Sequence, residues 1–120
     1  MRTSLSHLRK SIVCAGRGIK FALSTQPNFF LMILIALVTV VAGLLIRLSL
    51  KEWVVVTFLI GLVLVLEILN TAIEQLLDFL EPRFSLSVGR VKDLLAGVVL
   101  IAAIVAAFLG LLIFVPKLLP

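Results

Sequence analysis

LEILNTAIEQLLD, residues 66–78, places three carboxylates (Glu67, Glu74 and Asp78) beside Asn70 and Thr71 within a long apolar region. On an α-helix each residue turns the chain by about 100°, so, counted from Glu67, Asn70 falls near 300°, Thr71 near 40°, Glu74 near 340° and Asp78 near 20°. All five share one stripe about 100° wide. Gln75 lies to its side, and the remaining circumference is Ile68, Leu69, Ala72, Ile73, Leu76 and Leu77. A carboxylate turned toward hydrocarbon costs at least about 2.5–3.5 kcal/mol, so acids in such a segment are expected to face protein, water or a ligand.

The surroundings justify speaking of hydrocarbon. Of 120 residues, 62% are hydrophobic and 14% charged, and the mean hydropathy is +1.32. A soluble domain of this size needs more polar surface than that. Three runs account for the excess: Phe29–Ile46, 18 residues without a charge; Trp53–Leu66, which leads into the acidic stripe; and Leu94–Val115, 22 residues without a charge. As helices they measure about 27 Å, about 42 Å (taken to Leu80) and about 33 Å, against a hydrocarbon core of about 30 Å. The reading is an all-α membrane protein with three transmembrane helices over 29–46, 53–80 and 92–115, in a single membrane domain covering 1–120. A basic stretch of 28 residues precedes the first apolar run and lacks a small-residue cleavage site, so no cleaved signal is expected.

Lys and Arg set the expected orientation. Arg2, Arg9, Lys10, Arg17 and Lys20 precede the first span, and Arg83, Arg90 and Lys92 lie between the second and third; Arg47, Lys51 and Lys117 fall on the other side. This asymmetry predicts a cytoplasmic N-terminus and an external C-terminus. The net charge of +5 then reflects topology and anionic lipid heads; no nucleic-acid partner is implied. Residues 4–23 carry Leu5, Leu8, Ile12, Ala15, Ile19 and Ala22 at helical spacing, with basic residues on other faces, which predicts an amphipathic helix on the membrane surface. Gly16 and Gly18 weaken its middle. Ser24 or Thr25 is expected to cap the first span, Pro27 suits its first turn, and Trp53 marks the outer interface. Pro116 and Pro120 end the chain. Ala102, Ala106 and Gly110, with Ala103 and Ala107 beside them, offer the third span a close helix–helix approach. Three helices alone would leave the intramembrane acids open to lipid, which argues for an oligomer.

Counted from Trp53, Glu67 lies about 21 Å along its helix and Asp78 about 38 Å, so the stripe climbs from the cytoplasm into the bilayer. Lys92 and Asp93 open the third span on the same side. A lysine at that depth can neutralise a phosphate, and an acid beside it can help hold a metal or nucleotide. Closely spaced carboxylates repel one another unless a divalent cation intervenes. The plainer reading is a structural polar seam between helices. The sharper one is a site for a magnesium-bound anion arriving from the cytoplasm.

The pattern E-x-x-N-[ST]-A-x-E…D in EILNTAIEQLLD, followed by K-D-x-x-[AG] in GRVKDLLAGVVLIAA, resembles the prokaryotic diacylglycerol kinase family, which includes undecaprenol kinases. The resemblance covers nearly the whole chain. It implies a homotrimeric inner-membrane enzyme of bacteria, with active sites shared between subunits, that moves the γ-phosphate of ATP to a lipid hydroxyl with Mg²⁺. It further implies Glu67 as general base, Asn70 as a positioning group for acceptor and phosphate, and Glu74 as the magnesium ligand. Asp78 and Asp93 would contact the nucleotide and Lys92 its phosphates. Arg9 and Arg17 could reach the phosphates too, although lipid heads are their default partners. The order of base, metal and nucleotide from deep to shallow suits a lipid acceptor and a soluble donor.

One position departs from the family: Gln26 stands where a second metal-binding glutamate is usual. A carbonyl oxygen without charge predicts weaker magnesium binding, or a catalytically impaired paralogue. Diacylglycerol is the first expectation for the acceptor; undecaprenol follows closely, because NTAIE and IFVPK resemble that branch. A proton- or ion-coupled transport subunit titrating at Glu67 is the alternative of another class, but the outer halves of the helices lack the polar path transport needs. No P-loop occurs, Gly16-Arg17-Gly18 being too short a glycine motif. His7 is expected to be solvated, and the lone Cys14 to be a small packing residue.

Overall fold

The computed structural model describes residues 2–83 and 85–120; Met1, Phe84 and the side chains of Arg2 and Thr3 lie outside the described residues, Arg2 being one of the basic residues counted above. Four helices follow one another: α1 (Arg2–Thr25), α2 (Pro27–Leu45), α3 (Leu50–Leu80) and α4 (Leu86–Leu118). The described residues contain no strand. α2, α3 and α4 are each long and apolar enough to cross a bilayer. The chain is an all-α integral membrane protein with an N-terminal amphipathic helix.

Its burial pattern is that of a lipid-solvated bundle. The buried apolar side chains among the described residues are Ala22, Phe29, Leu48, Val56 and Leu59, while most Leu, Val, Ile and Phe side chains point outward. In water that exposure would drive aggregation; in a bilayer the outward face meets acyl chains, and only backbone and polar groups need internal partners. α3 packs against α4, α2 and α1, whereas α2 and α4 meet at most marginally. α3 is therefore the central element, and it carries the acidic stripe.

Local chemistry sets the helix ends. α1 runs unbroken through Gly16 and Gly18. Ser24 and Thr25 do not cap α2: their hydroxyls donate back to the Phe21 carbonyl at 3.1 and 2.6 Å. The cap is Gln26, in extended conformation and without a side-chain cap bond. Pro27, at the first helical turn, disfavours helical geometry in the residue before it, and so the chain bends there. Ser49 starts α3 with a reciprocal capping box to Glu52, both bonds 3.3 Å. The Ser85 hydroxyl accepts from the Val88 amide at 3.1 Å, which starts α4 at Leu86, before the apolar run begins. At the other end α4 does not stop at Pro116 but continues through it to Leu118.

The α2–α3 turn is the tightest join. Arg47 takes a left-handed φ of 58°, and the Leu48 amide donates to the Gly43 carbonyl at 3.1 Å. This is a Schellman-type ending, here closed by an arginine at the position glycine usually holds. Leu48 and Trp53 fold back over Gly43 so closely that a Cβ there would meet Leu48 Cδ1 and Trp53 Cη2 at 2.8 Å.

Candidate active site

Along α3 the stripe is graded from deep to exposed. Glu67 is 4% exposed and Thr71 6%; Asn70 and Glu74 are half-buried, and Asp78 is exposed. The Thr71 hydroxyl donates to the Glu67 carbonyl at 3.0 Å, which commits that hydroxyl to its own helix. The Asn70 Oδ1 differs: it is buried and has no hydrogen-bond partner among the described residues. A buried acceptor without a partner carries a desolvation cost of about 1–3 kcal/mol, so it is poised to accept a hydrogen bond from an incoming hydroxyl or to face a cation.

The burial of Glu67 corrects one premise. α3 packs on three helices, and a single chain covers this carboxylate without an oligomer. The shallower acids are less protected, Asp78 and Asp93 being exposed.

At the end of the bundle where the two motifs meet, α4 returns alongside α3 and brings Lys92 Nζ to 2.7 Å from Asp78 Oδ1. The pair couples two residues 14 positions apart, and each side chain keeps substantial access to solvent, 38% for Lys92 and 60% for Asp78. Asp93, turned about 100° from Lys92, is exposed. Beneath the pair is a cleft of about 310 Å³ whose walls include Glu81, Arg83 and Gly89. Sequence reasoning passes over Glu81 and Arg83 as site residues; their signal is their place in the short connection between the two motifs. Arg9 and Arg17 are exposed along α1, and Gln26 is half-buried at the α1–α2 bend. Cys14, expected to pack, is exposed, as is the rest of α1 from Ser4 to Phe21, which packs on the bundle only near its end at Ala22.

The donor set can be tested against magnesium. Glu67 and Glu74 are seven residues apart, about 10.5 Å along the axis, too far to clasp one ion together. Among the described residues no three His, Cys, Asp or Glu side chains form a metal-binding group. Magnesium commonly keeps several waters and binds one or two carboxylates together with substrate phosphates. A half-buried Glu74, one helical turn from the unpartnered Asn70 Oδ1, fits an ion that arrives with a nucleotide.

The family model for prokaryotic diacylglycerol kinase matches residues 13–114 of the chain. The chain is 39% identical over 117 residues to the undecaprenol kinase of Bacillus subtilis, covering 98% of this chain and 95% of that protein. It is 33% identical over 106 residues to the diacylglycerol kinase of a Synechocystis species, covering 88% of this chain and 61% of that protein.

Proposed function

The chain belongs to the prokaryotic diacylglycerol kinase family of membrane lipid kinases, and from that premise we propose that it transfers the γ-phosphate of ATP to the hydroxyl of a polyprenol of the undecaprenol type. Similarity along nearly the full length of an undecaprenol kinase supports this acceptor. Diacylglycerol is the second reading, supported by the Synechocystis relative. The observation that carries the proposal is the buried Glu67, on the same face of α3 as the unpartnered Asn70 Oδ1 and, farther along, the Asp78–Lys92 pair.

In this reading Glu67 is the general base. It accepts the proton of the acceptor hydroxyl as that oxygen attacks phosphorus, at a depth where its 4% exposure leaves little water to compete for the proton. Asn70 orients the hydroxyl through its free Oδ1. Glu74 would hold magnesium, with Gln26 as a neutral helper, and the ion would supply screening of the charge on the phosphate oxygens. Lys92 exchanges its Asp78 partner for nucleotide phosphate, while Asp78 and Asp93 hold the remainder of the nucleotide. Arg9 and Arg17 add positive charge from α1. The chain acts as one membrane domain, in a homotrimer with shared sites, with its N-terminus in the cytoplasm.

The test is phosphate transfer from radiolabelled ATP by purified protein in mixed micelles containing undecaprenol or diacylglycerol. Label is expected in the polyprenol, with a dependence on Mg²⁺. Glu67→Gln is expected to lower the rate by about 10²–10⁴-fold, the usual worth of a general base, and Glu74→Gln to remove the response to Mg²⁺. Label entering diacylglycerol alone would decide for the second reading. Unimpaired transfer by both variants would overturn the site assignment.

A further inference from the structure

α2 and α4 each pack on α3 but meet at most marginally, and between them runs a cleft of about 670 Å³. Its lining is apolar apart from Asn28, near the start of α2, and Thr39, whose hydroxyl is already spent on the Ile35 carbonyl at 2.8 Å. The α4 wall consists largely of small side chains, Ala103, Ala106, Ala107 and Gly110, which keep the cleft wide. In a bilayer the surrounding medium is hydrocarbon, so an apolar cleft within a membrane bundle takes a lipid chain and not water. Its α3 floor ends at Leu64, one helical turn from Glu67. A chain lying there has its polar end directed toward the acidic stripe.

The outer end of the cleft is tied shut. Lys117 Nζ lies 3.0 Å from Glu52 Oε1, with both side chains largely covered at 30% and 25% exposure. The same ammonium donates to the Arg47 carbonyl at 3.2 Å. Lys117 is about one turn beyond Phe114, and Glu52 about one turn beyond Val56, the outermost lining residues of their helices. One lysine therefore binds α4 to both the start of α3 and the turn that ends α2. We propose that Glu52 and Lys117 form a latch fixing the outer separation of α4 from the α2–α3 turn, and that the cleft so bounded receives the hydrocarbon chain of the acceptor lipid. The latch pair positions and selects; neither residue touches the reacting atoms. This inference rests on the lipid-kinase reading for its acceptor, but not for its geometry.

The experiment compares wild type, Lys117→Ala and the exchanged pair Glu52→Lys with Lys117→Glu, all as full-length protein in lipid. Spin labels at Val41 and Phe108, outside the cleft lining, report the α2–α4 separation in a Cys14→Ala background. Lys117→Ala is expected to broaden that distance distribution. It is also expected to change the kcat/KM ratio of undecaprenol to diacylglycerol by about fivefold or more, with the KM for ATP unchanged. The exchanged pair is expected to restore both only in part, because a carboxylate at position 117 can pair with an ammonium at position 52 but cannot donate to the Arg47 carbonyl. An unchanged distance in Lys117→Ala would overturn the latch. A changed distance with unchanged acceptor preference would overturn the chain site, as would efficient disulfide linkage of Ala106→Cys between two copies, which would show the cleft filled by a second subunit. Should wild type phosphorylate no lipid at all, the kinase reading fails and the chain site with it, while the distance measurement still decides the latch.

Discussion

At the scale of single residues, the proposed role of Glu67 as a base sets stability against chemistry. Glu67 sits almost fully buried on a helix that could hold leucine there at no desolvation cost. Burying a carboxylate is expensive unless it is well compensated, so the isosteric Glu67→Gln is expected to leave thermal unfolding in detergent unchanged or to raise its midpoint, even as transfer collapses. A scanning melt beside the kinase assay checks both signs; a marked drop in midpoint would make Glu67 a structural residue. Gln26 gives a prediction of the opposite kind. Metal affinity rises with the charge of the ligand set, so Gln26→Glu is expected to lower the Mg²⁺ needed for half-maximal rate by roughly tenfold; an unmoved requirement would remove Gln26 from the metal's neighbourhood. The stripe is legible in the sequence because acids spaced seven and four apart are too costly in apolar surroundings to stand there without a partner or ligand. The Lys92–Asp78 bond is not, since its geometry depends on how α4 returns beside α3, and local pattern does not encode that return.

At the scale of elements, the helix ends show where local chemistry decides and where it is overridden. The break at Pro27 is visible from the residue alone, because a fixed φ and a missing amide proton act within one turn. The capping expected of Ser24 and Thr25 fails because hydroxyls in the last turn of one helix can bond backward as readily as forward, and α1 runs to the residue before the bend. The α2–α3 turn is legible only as short. Its close packing rests on Gly43, and two substitutions in this turn are expected to act with opposite signs. Gly43→Ala drives a methyl into Leu48 and Trp53 at 2.8 Å and is expected to cost about 1–3 kcal/mol, as overpacking does. Arg47→Gly removes the penalty of a left-handed residue and is expected to gain about 1 kcal/mol, while the backbone carbonyl that Lys117 uses is retained. Denaturation in detergent separates the two outcomes; equal destabilisation by both would mean that the turn is held by something other than its backbone geometry.

At the scale of the whole molecule, the apolar runs reveal three spans because hydrocarbon admits few alternatives to a long helix. The expectation of an oligomer leans on exposed acids, and that support weakens once the helices packed on α3 are seen to cover Glu67 within one chain; the homotrimer then stands as a proposal. Orientation rests on the distribution of Lys and Arg, and the chain contains its own probe. Cys14 is the single cysteine, and it is exposed on the polar side of α1. A membrane-impermeant maleimide is expected to label it in inside-out vesicles and to leave it unlabelled in intact spheroplasts. With Cys14→Ala and Leu119→Cys combined, the pattern should reverse, because Leu119 is exposed just past the far end of α4. Labelling of Cys14 from outside would put the acidic stripe beyond reach of cytoplasmic ATP. No placement of Glu74, Asp78 or Lys92 would then make this chain a kinase drawing on that pool, so the sidedness of one thiol bears on the mechanism as directly as removal of the base.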